Sequence, residues 1–81
     1  MARIIHVDGT EKELAGKPSL EELQKAVGGY IEVAEIPGSS KILVVNEEGL
    51  LQQLPLNPSA SAMALQLIVG DVVLCNRADL D

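Results

Sequence analysis

The apolar positions fall into short blocks that change period along the chain, and polar or glycine-rich punctuation separates them. Ala2-Arg3-Ile4-Ile5-His6-Val7 is β-branched and predicts a strand, and Asp8-Gly9 supplies the positive-φ residues of a tight hairpin turn. Residues 10–14 then return as a short, polar, edge-like strand, and Gly16-Lys17-Pro18 forms a loop. At Ser19 the period changes. Leu20, Leu23 and Val27 recur on one helical face with Ala26 beside them, while Glu21, Glu22, Gln24 and Lys25 point away. Ser19 followed by Glu22 is a capping box, and Gly28-Gly29 marks the stop, with Gly28 in the left-handed position.

Period two returns at residues 30–36, with Tyr30, Glu32 and Ala34 on one side and Ile31, Val33 and Glu35 on the other. The alternation weakens at Ala34-Glu35, which suggests a twist or bulge. After the turn Pro37-Gly38-Ser39-Ser40, residues 41–45 form the most apolar strand so far, expected to be central, and Asn46-Glu47-Glu48-Gly49 turns into a further strand at 50–54. Residues 30–54 thus read as a three-strand antiparallel meander. Asn57 caps a second helix over about 58–66, with Pro58 at its favoured first position and Ala60, Met63, Ala64 and Leu67 as its apolar stripe. Gly70-Asp71 bends the chain into a buried strand at 72–75, and residues 77–81 form an acidic tail expected to fray. The fold class is α+β: a single compact domain, 1–81, mostly antiparallel sheet, ordered hairpin, helix, three-strand meander, short helix and final strand.

Composition sharpens this in three respects. The 81 residues are 47% hydrophobic but contain no Trp, no Phe and one Tyr, so aliphatic burial carries the core. So much Val, Ile and Leu in a small volume also favours a homo-oligomer that covers surplus apolar surface. Twelve carboxylates against six Lys and Arg leave a formal charge of −6, and the six cations are scattered singly. With no basic patch and no stacking platform, direct nucleic-acid binding is not expected. Cys75 is the lone cysteine and the N-terminal stretch lacks the apolar core of a signal peptide. No window approaches a membrane span, so the protein is expected in the cytoplasm, or in a host cytoplasm if phage-encoded.

The chemistry-bearing residues are few. His6 has no second histidine with which to share a metal, and Cys75 in an apolar run reads as a small buried hydrophobe. Glu47-Glu48 in a turn point into solvent, and Glu32 and Glu35 fit a solvent-facing strand or the rim of a pocket. Gly28-Gly29 end a helix, whereas phosphates favour helix starts. The better anion candidate is the helix start Asn57-Pro58-Ser59-Ala60-Ser61, for which simple capping by Asn57 is the alternative. Tyr30, the one aromatic, is placed either to stack on a ligand or as a half-buried strand residue. The candidate ligand set is therefore Gly28, Gly29, Tyr30, Glu32, Asn57, Ser59 and Ser61, with no catalytic residue, metal or cofactor expected. The chain does not read as an enzyme.

Three blocks carry a resemblance: LEELQKAVGGYIEV at Leu20–Val33, VVNEEGLLQQLPLN at Val44–Asn57, and IVGDVVL at Ile68–Leu74. In this order they resemble the family called domain of unknown function 3846, small proteins common in phages and other mobile elements. Two departures are an Ala- and Ser-rich stretch after Asn57 and the short acidic tail. The resemblance implies a compact stand-alone module of mobile-element origin. By analogy with other small acidic phage proteins, the expected function is non-enzymatic binding, against host defence, of a small nucleotide signal or a host protein. The alternative is an acidic DNA mimic, or an accessory structural domain, that occupies a basic protein surface.

Overall fold

The computed structural model describes residues 2–80. Strands β1 (Ala2–Ile5) and β2 (Glu11–Leu14) form the first hairpin, followed by helix α1 (Leu20–Val27). Strands β3 (Ile31–Glu35) and β4 (Lys41–Asn46) form the second hairpin, and helix α2 (Pro58–Ala64) precedes the last strand, β5 (Val72–Asn76). A single 3-10 turn, Arg77–Leu80, ends the described chain.

The sheet has five strands in the order β2-β1-β5-β4-β3, and each neighbouring pair is antiparallel. The strand that comes last in sequence lies in the middle and joins the two hairpins. Its composition explains the position. Val72 and Leu74 pack into one apolar cluster with Ile5, Leu43, Val45, Ala60, Ala64 and Ile68, beneath α2. Val73 and Cys75 pack into a second cluster with Ile42, Val44, Leu23 and Val27, beneath α1. A strand covered on both faces needs apolar side chains at consecutive positions, and Val72 to Cys75 are all buried. Residues 42–45 of β4 are buried for the same reason, and β4 is interior as expected, although the middle position goes to β5.

The local signals of α1 act as the sequence indicates. Glu22 N–H donates to Ser19 Oγ at 3.1 Å, and Ser19 N–H donates to Glu22 Oε1 at 3.0 Å. Gly28 ends the helix at φ 83°, with its N–H bonded to Gln24 O at 2.8 Å. Leu23 and Val27 are buried, but Leu20 is 59% exposed, so the docked face is narrower than its spacing suggests.

Four further expectations need correction. The third strand of the meander, 50–54, does not form: residues 47–53 wind through consecutive turns. Asn46 drives this, because Glu48 N–H donates to its Oδ1 at 2.8 Å and Gly49 N–H to its O, and Gln52 N–H to Glu48 O and Leu54 N–H to Gly49 O continue the coil. Gly49 is also pressed against Val69, where an added Cβ would sit 2.8 Å from Cγ2. Second, α2 stops at Ala64, with Leu65 left-handed at φ 54°, which puts Leu67 outside the helix and 63% exposed. Third, Tyr30 precedes β3 and is 69% exposed, not half-buried. Fourth, residues 77–80 of the expected frayed tail are tied down. Asn76 N–H donates to Asp79 Oδ2, Arg77 pairs with Glu35, and Leu80 packs on the α1-side cluster. Asp81, the rest of that tail, lies outside the described residues.

Candidate functional site

A groove of about 700 Å³ lies on the α2 side of the sheet. Its floor is Ala34 of β3, Val45 of β4 and Ile68. One wall is the coil that replaces the expected strand, with Leu50 and Leu51 turned outward at 69% and 81% exposure. The other wall is the α2–β5 connection, with Gln66 and Leu67. Glu32, Glu35, Glu47 and Glu48 also line the groove, and among the described residues no Lys or Arg does. Arg77 pairs with Glu35, and Glu32, Glu47 and Glu48 form an exposed acidic rim. Leucines this exposed and grouped in one hollow are the kind of surface that interaction sites use.

Two contacts hold the coil in place. Asn46, buried at 6% exposure, donates from Nδ2 to Val27 O at 3.1 Å and to Gln52 Oε1 at 3.1 Å. Gly29 makes room for that amide, since a Cβ there would lie 3.0 Å from Asn46 Nδ2. At the far wall, Gly70 has φ 79° and approaches Leu54 closely enough that a Cβ would sit 2.7 Å from Cδ1.

The sequence-derived candidates are distributed unevenly around this groove. Glu32 lines it. Gly28 and Gly29 follow α1, which packs on the opposite face, and Tyr30 contributes its carbonyl to Glu47 N–H at 2.9 Å while its side chain points into solvent. Asn57 is fully buried and its side-chain amide is saturated: Nδ2 donates to Ile5 O at 3.0 Å and to Gly70 O at 2.9 Å, and Oδ1 accepts from Ala60 N–H at 3.0 Å. Ser61 Oγ donates to Ile68 O at 3.1 Å and accepts from Ile68 N–H at 2.9 Å. Ser59 is half-buried on the same helix. The polar atoms of Asn57 and Ser61 are thus spent within the fold, and the capping alternative describes Asn57. Leu50, Leu51 and Gln66 carry no site motif in the sequence, and Leu67 reads there only as part of the α2 apolar stripe. The available signal was Leu50-Leu51 itself, an apolar pair set between Glu47-Glu48 and Gln52-Gln53 without strand or helix period.

A second, shallower hollow gathers His6, Val7, Asp8, Thr10 and Asp71. His6 Nδ1 lies 2.8 Å from Asp71 Oδ2, and Val7 N–H donates to Asp71 Oδ1 at 3.0 Å, so this pair pins the end of β1 to the start of β5. The Thr10 hydroxyl donates to Asp8 Oδ1 at 2.6 Å and holds that carboxyl below the usual range. Each polar group here closes a turn or joins two strands. Burial pushes the Cys75 thiol up, with Asp79 adding to the effect, which is opposite to what an activated nucleophile needs. Among the described residues no group of three or more His, Cys, Asp or Glu is placed to hold a metal ion, and no helix is long and apolar enough to cross a membrane.

The architecture is that of a small α+β protein: one antiparallel sheet carrying a helix on each face and a leucine-walled, acid-rimmed groove at one edge. The chain belongs to the family described as Domain of unknown function (DUF3846), whose model matches residues 1–81. No curated protein and no solved structure gives a significant match.

Proposed function

We propose that this chain is a non-enzymatic protein-binding module, and that the groove between β3, the 46–54 coil and residues 66–69 receives a basic, apolar-bearing segment of a partner protein. The observation that carries the reading is the combination of Leu50, Leu51 and Leu67, all more than 60% exposed, with the exposed carboxylate rim of Glu32, Glu47 and Glu48. Apolar walls favour burial of aliphatic side chains, and the carboxylates select Lys or Arg beside them. A basic segment of a host protein satisfies this chemistry, in keeping with a mobile-element origin. A purely charged DNA mimic has no use for exposed leucines among its carboxylates. The small-nucleotide version loses support because Asn57 and Ser61 have their polar side-chain atoms engaged internally.

The test is fluorescence anisotropy with a labelled Lys-Val peptide of repeat Lys-Lys-Val-Val, which as a strand presents both Lys and Val on each face, against a Glu-Val peptide with Glu in place of every Lys. The Lys-Val peptide binds and the Glu-Val peptide does not. Leu51→Ser then weakens binding by about tenfold or more, since burying one leucine contributes roughly 1.5–3 kcal/mol. Glu32→Lys weakens it further. Both side chains are exposed, so neither change disturbs the fold. Equal binding by the parent and both variants removes the groove as the site.

A further inference from the structure

We propose that the partner segment binds as an added β-strand along the outer edge of β3, with alternate side chains entering the groove; this rests on the groove being the binding site. β3 is the last strand in the sheet order, and among the described residues nothing pairs with its outer side. The direction of its backbone groups follows from the register. Glu47 N–H donates to Tyr30 O, and the ladder pairs Glu32 with Val45 and Ala34 with Leu43. In an antiparallel pair, hydrogen-bonded and non-hydrogen-bonded positions alternate, so residues 30, 32 and 34 bond inward to β4. Ile31, Val33 and Glu35 therefore direct their N–H and C=O groups outward, away from the sheet.

Three of the usual guards are missing from this edge. β3 contains no Pro and no Lys, and its register with β4 runs without a bulge, against the expectation of one at Ala34-Glu35. At its centre Val33 is 38% exposed. The opposite edge, β2, differs: it reads Glu-Lys-Glu-Leu, three charged residues in four, and Arg3 closes onto Glu11. An added strand on β3 places one set of side chains over the groove, beside Glu32 and Ala34, and the other set beside Val33. Strand addition supplies affinity from the main chain and specificity from such alternate pockets. The segment that fits is extended, with Lys or Arg over Glu32, an aliphatic residue two positions away on the same face against the groove leucines, and a β-branched residue next to Val33 on the other face.

A second copy of the chain is the competing occupant. Two β3 strands related by a two-fold axis at Val33 would set Glu32 opposite Ala34, a sterically acceptable register. They would also bring Glu32 and Glu35 of both copies into one strand pair between chains of charge −6. No Glu faces a Glu directly in that register, but two chains each of charge −6 repel as their edges approach, so a basic heterologous strand is preferred.

The experiment uses the Lys-Val peptide and a version N-methylated at alternate residues on one edge. N-methylation removes main-chain donors while keeping charge and side chains. Binding is read by anisotropy and by amide exchange of the isotopically labelled protein. The unmodified peptide slows exchange at Ile31, Val33 and Glu35, and the N-methylated peptides, made in both phases, include one that binds about tenfold or more weakly. A helix-forming Lys-Leu peptide of equal charge leaves those amides unprotected. Strand addition is overturned if both N-methylated peptides bind as tightly as the parent, or if the edge amides exchange unchanged. The groove reading survives that outcome as long as Leu51→Ser still weakens binding. If no peptide binds, both readings fall. Protection of the same amides in peptide-free protein that light scattering shows to be dimeric assigns the edge to a second copy and overturns the proposal.

Discussion

Asn57 is the residue whose replacement separates a structural role from a ligand-binding one most clearly. Its amide joins three parts of the chain: the end of β1 through Ile5 O, the bend before β5 through Gly70 O, and the first turn of α2 through Ala60 N–H. Asn57→Ala removes the cap, which costs about 1 kcal/mol. It also deprives buried backbone groups of a partner, at about 1–3 kcal/mol. Because the losses share one site they do not simply add, and a total of about 3 kcal/mol is expected. A chain of this length has roughly 4–12 kcal/mol of stability at about 0.05–0.15 kcal/mol per residue, so the loss is severe. In urea unfolding followed by far-ultraviolet circular dichroism, the midpoint falls by about 2–3 M for a slope near 1 kcal/mol/M.

Asn57→Asp sharpens the test. It keeps an acceptor for Ala60 but sets a carboxylate against two carbonyl oxygens, which raises its folded-state pKa above the unfolded value of about 3.9. A group shifted upward contributes its full stability below the unfolded pKa and loses it as pH rises through the folded pKa. The variant is therefore least stable near neutrality and recovers as pH falls toward that range. Should Asn57→Ala cost less than about 1 kcal/mol, or Asn57→Asp match the parent at neutral pH, the reasoning fails and the side chain is available to a ligand after all.

Two other perturbations probe the scaffold, one at the groove wall and one in the cluster beneath α1. Gly70→Ala forces a left-handed residue, at about 1–2 kcal/mol, and drives a methyl against Leu54, so the melting temperature drops by roughly 5–15 °C; an unchanged melt refutes the close approach. Cys75, whose thiol burial pushes up, favours the folded state below the unfolded thiol pKa, and that contribution is lost as pH rises through the folded value. Stability measured by denaturation consequently falls on the alkaline side, Cys75→Ala flattens that fall, and thiol reagents label the native protein far more slowly than the unfolded chain. Labelling at equal rates would contradict the burial.

The locally encoded features were legible because their determinants lie within a few residues of one another. Ser19 with Glu22 starts α1, Gly28 stops it, and Asn57-Pro58 opens α2; the first hairpin turns at the expected place but not in the expected form, because only Gly9 is left-handed, at φ 90°, and Asp8 sits inside a turn closed by Gly9 N–H to His6 O. The α+β class and the antiparallel pairing follow from those signals and from the alternating runs around them. The misread segment, 50–54, shows where such reasoning stops. Leu50-Leu51 has the residue types of a strand, but the side chain of Asn46 accepts from Glu48 N–H and bends the chain into turns before pairing begins. That replacement of a strand by a coil is what opens the groove, so the error and the candidate site have one cause.

From its own order of residues, then, this protein determines where its helices start and where α1 stops, which runs other than 50–54 become strands, and that its core is aliphatic and its net charge negative. Only the tertiary structure decided that β5 lies in the middle, that Asp71 meets His6, that Asn57 is spent on the fold, and that three leucines gather beside an open strand edge. The physical reason is range. Caps and turns are closed by contacts within a few residues, whereas the pairing of β1 with β5, and of residues as distant as His6 and Asp71, is chosen by which arrangement covers both faces of the sheet at once.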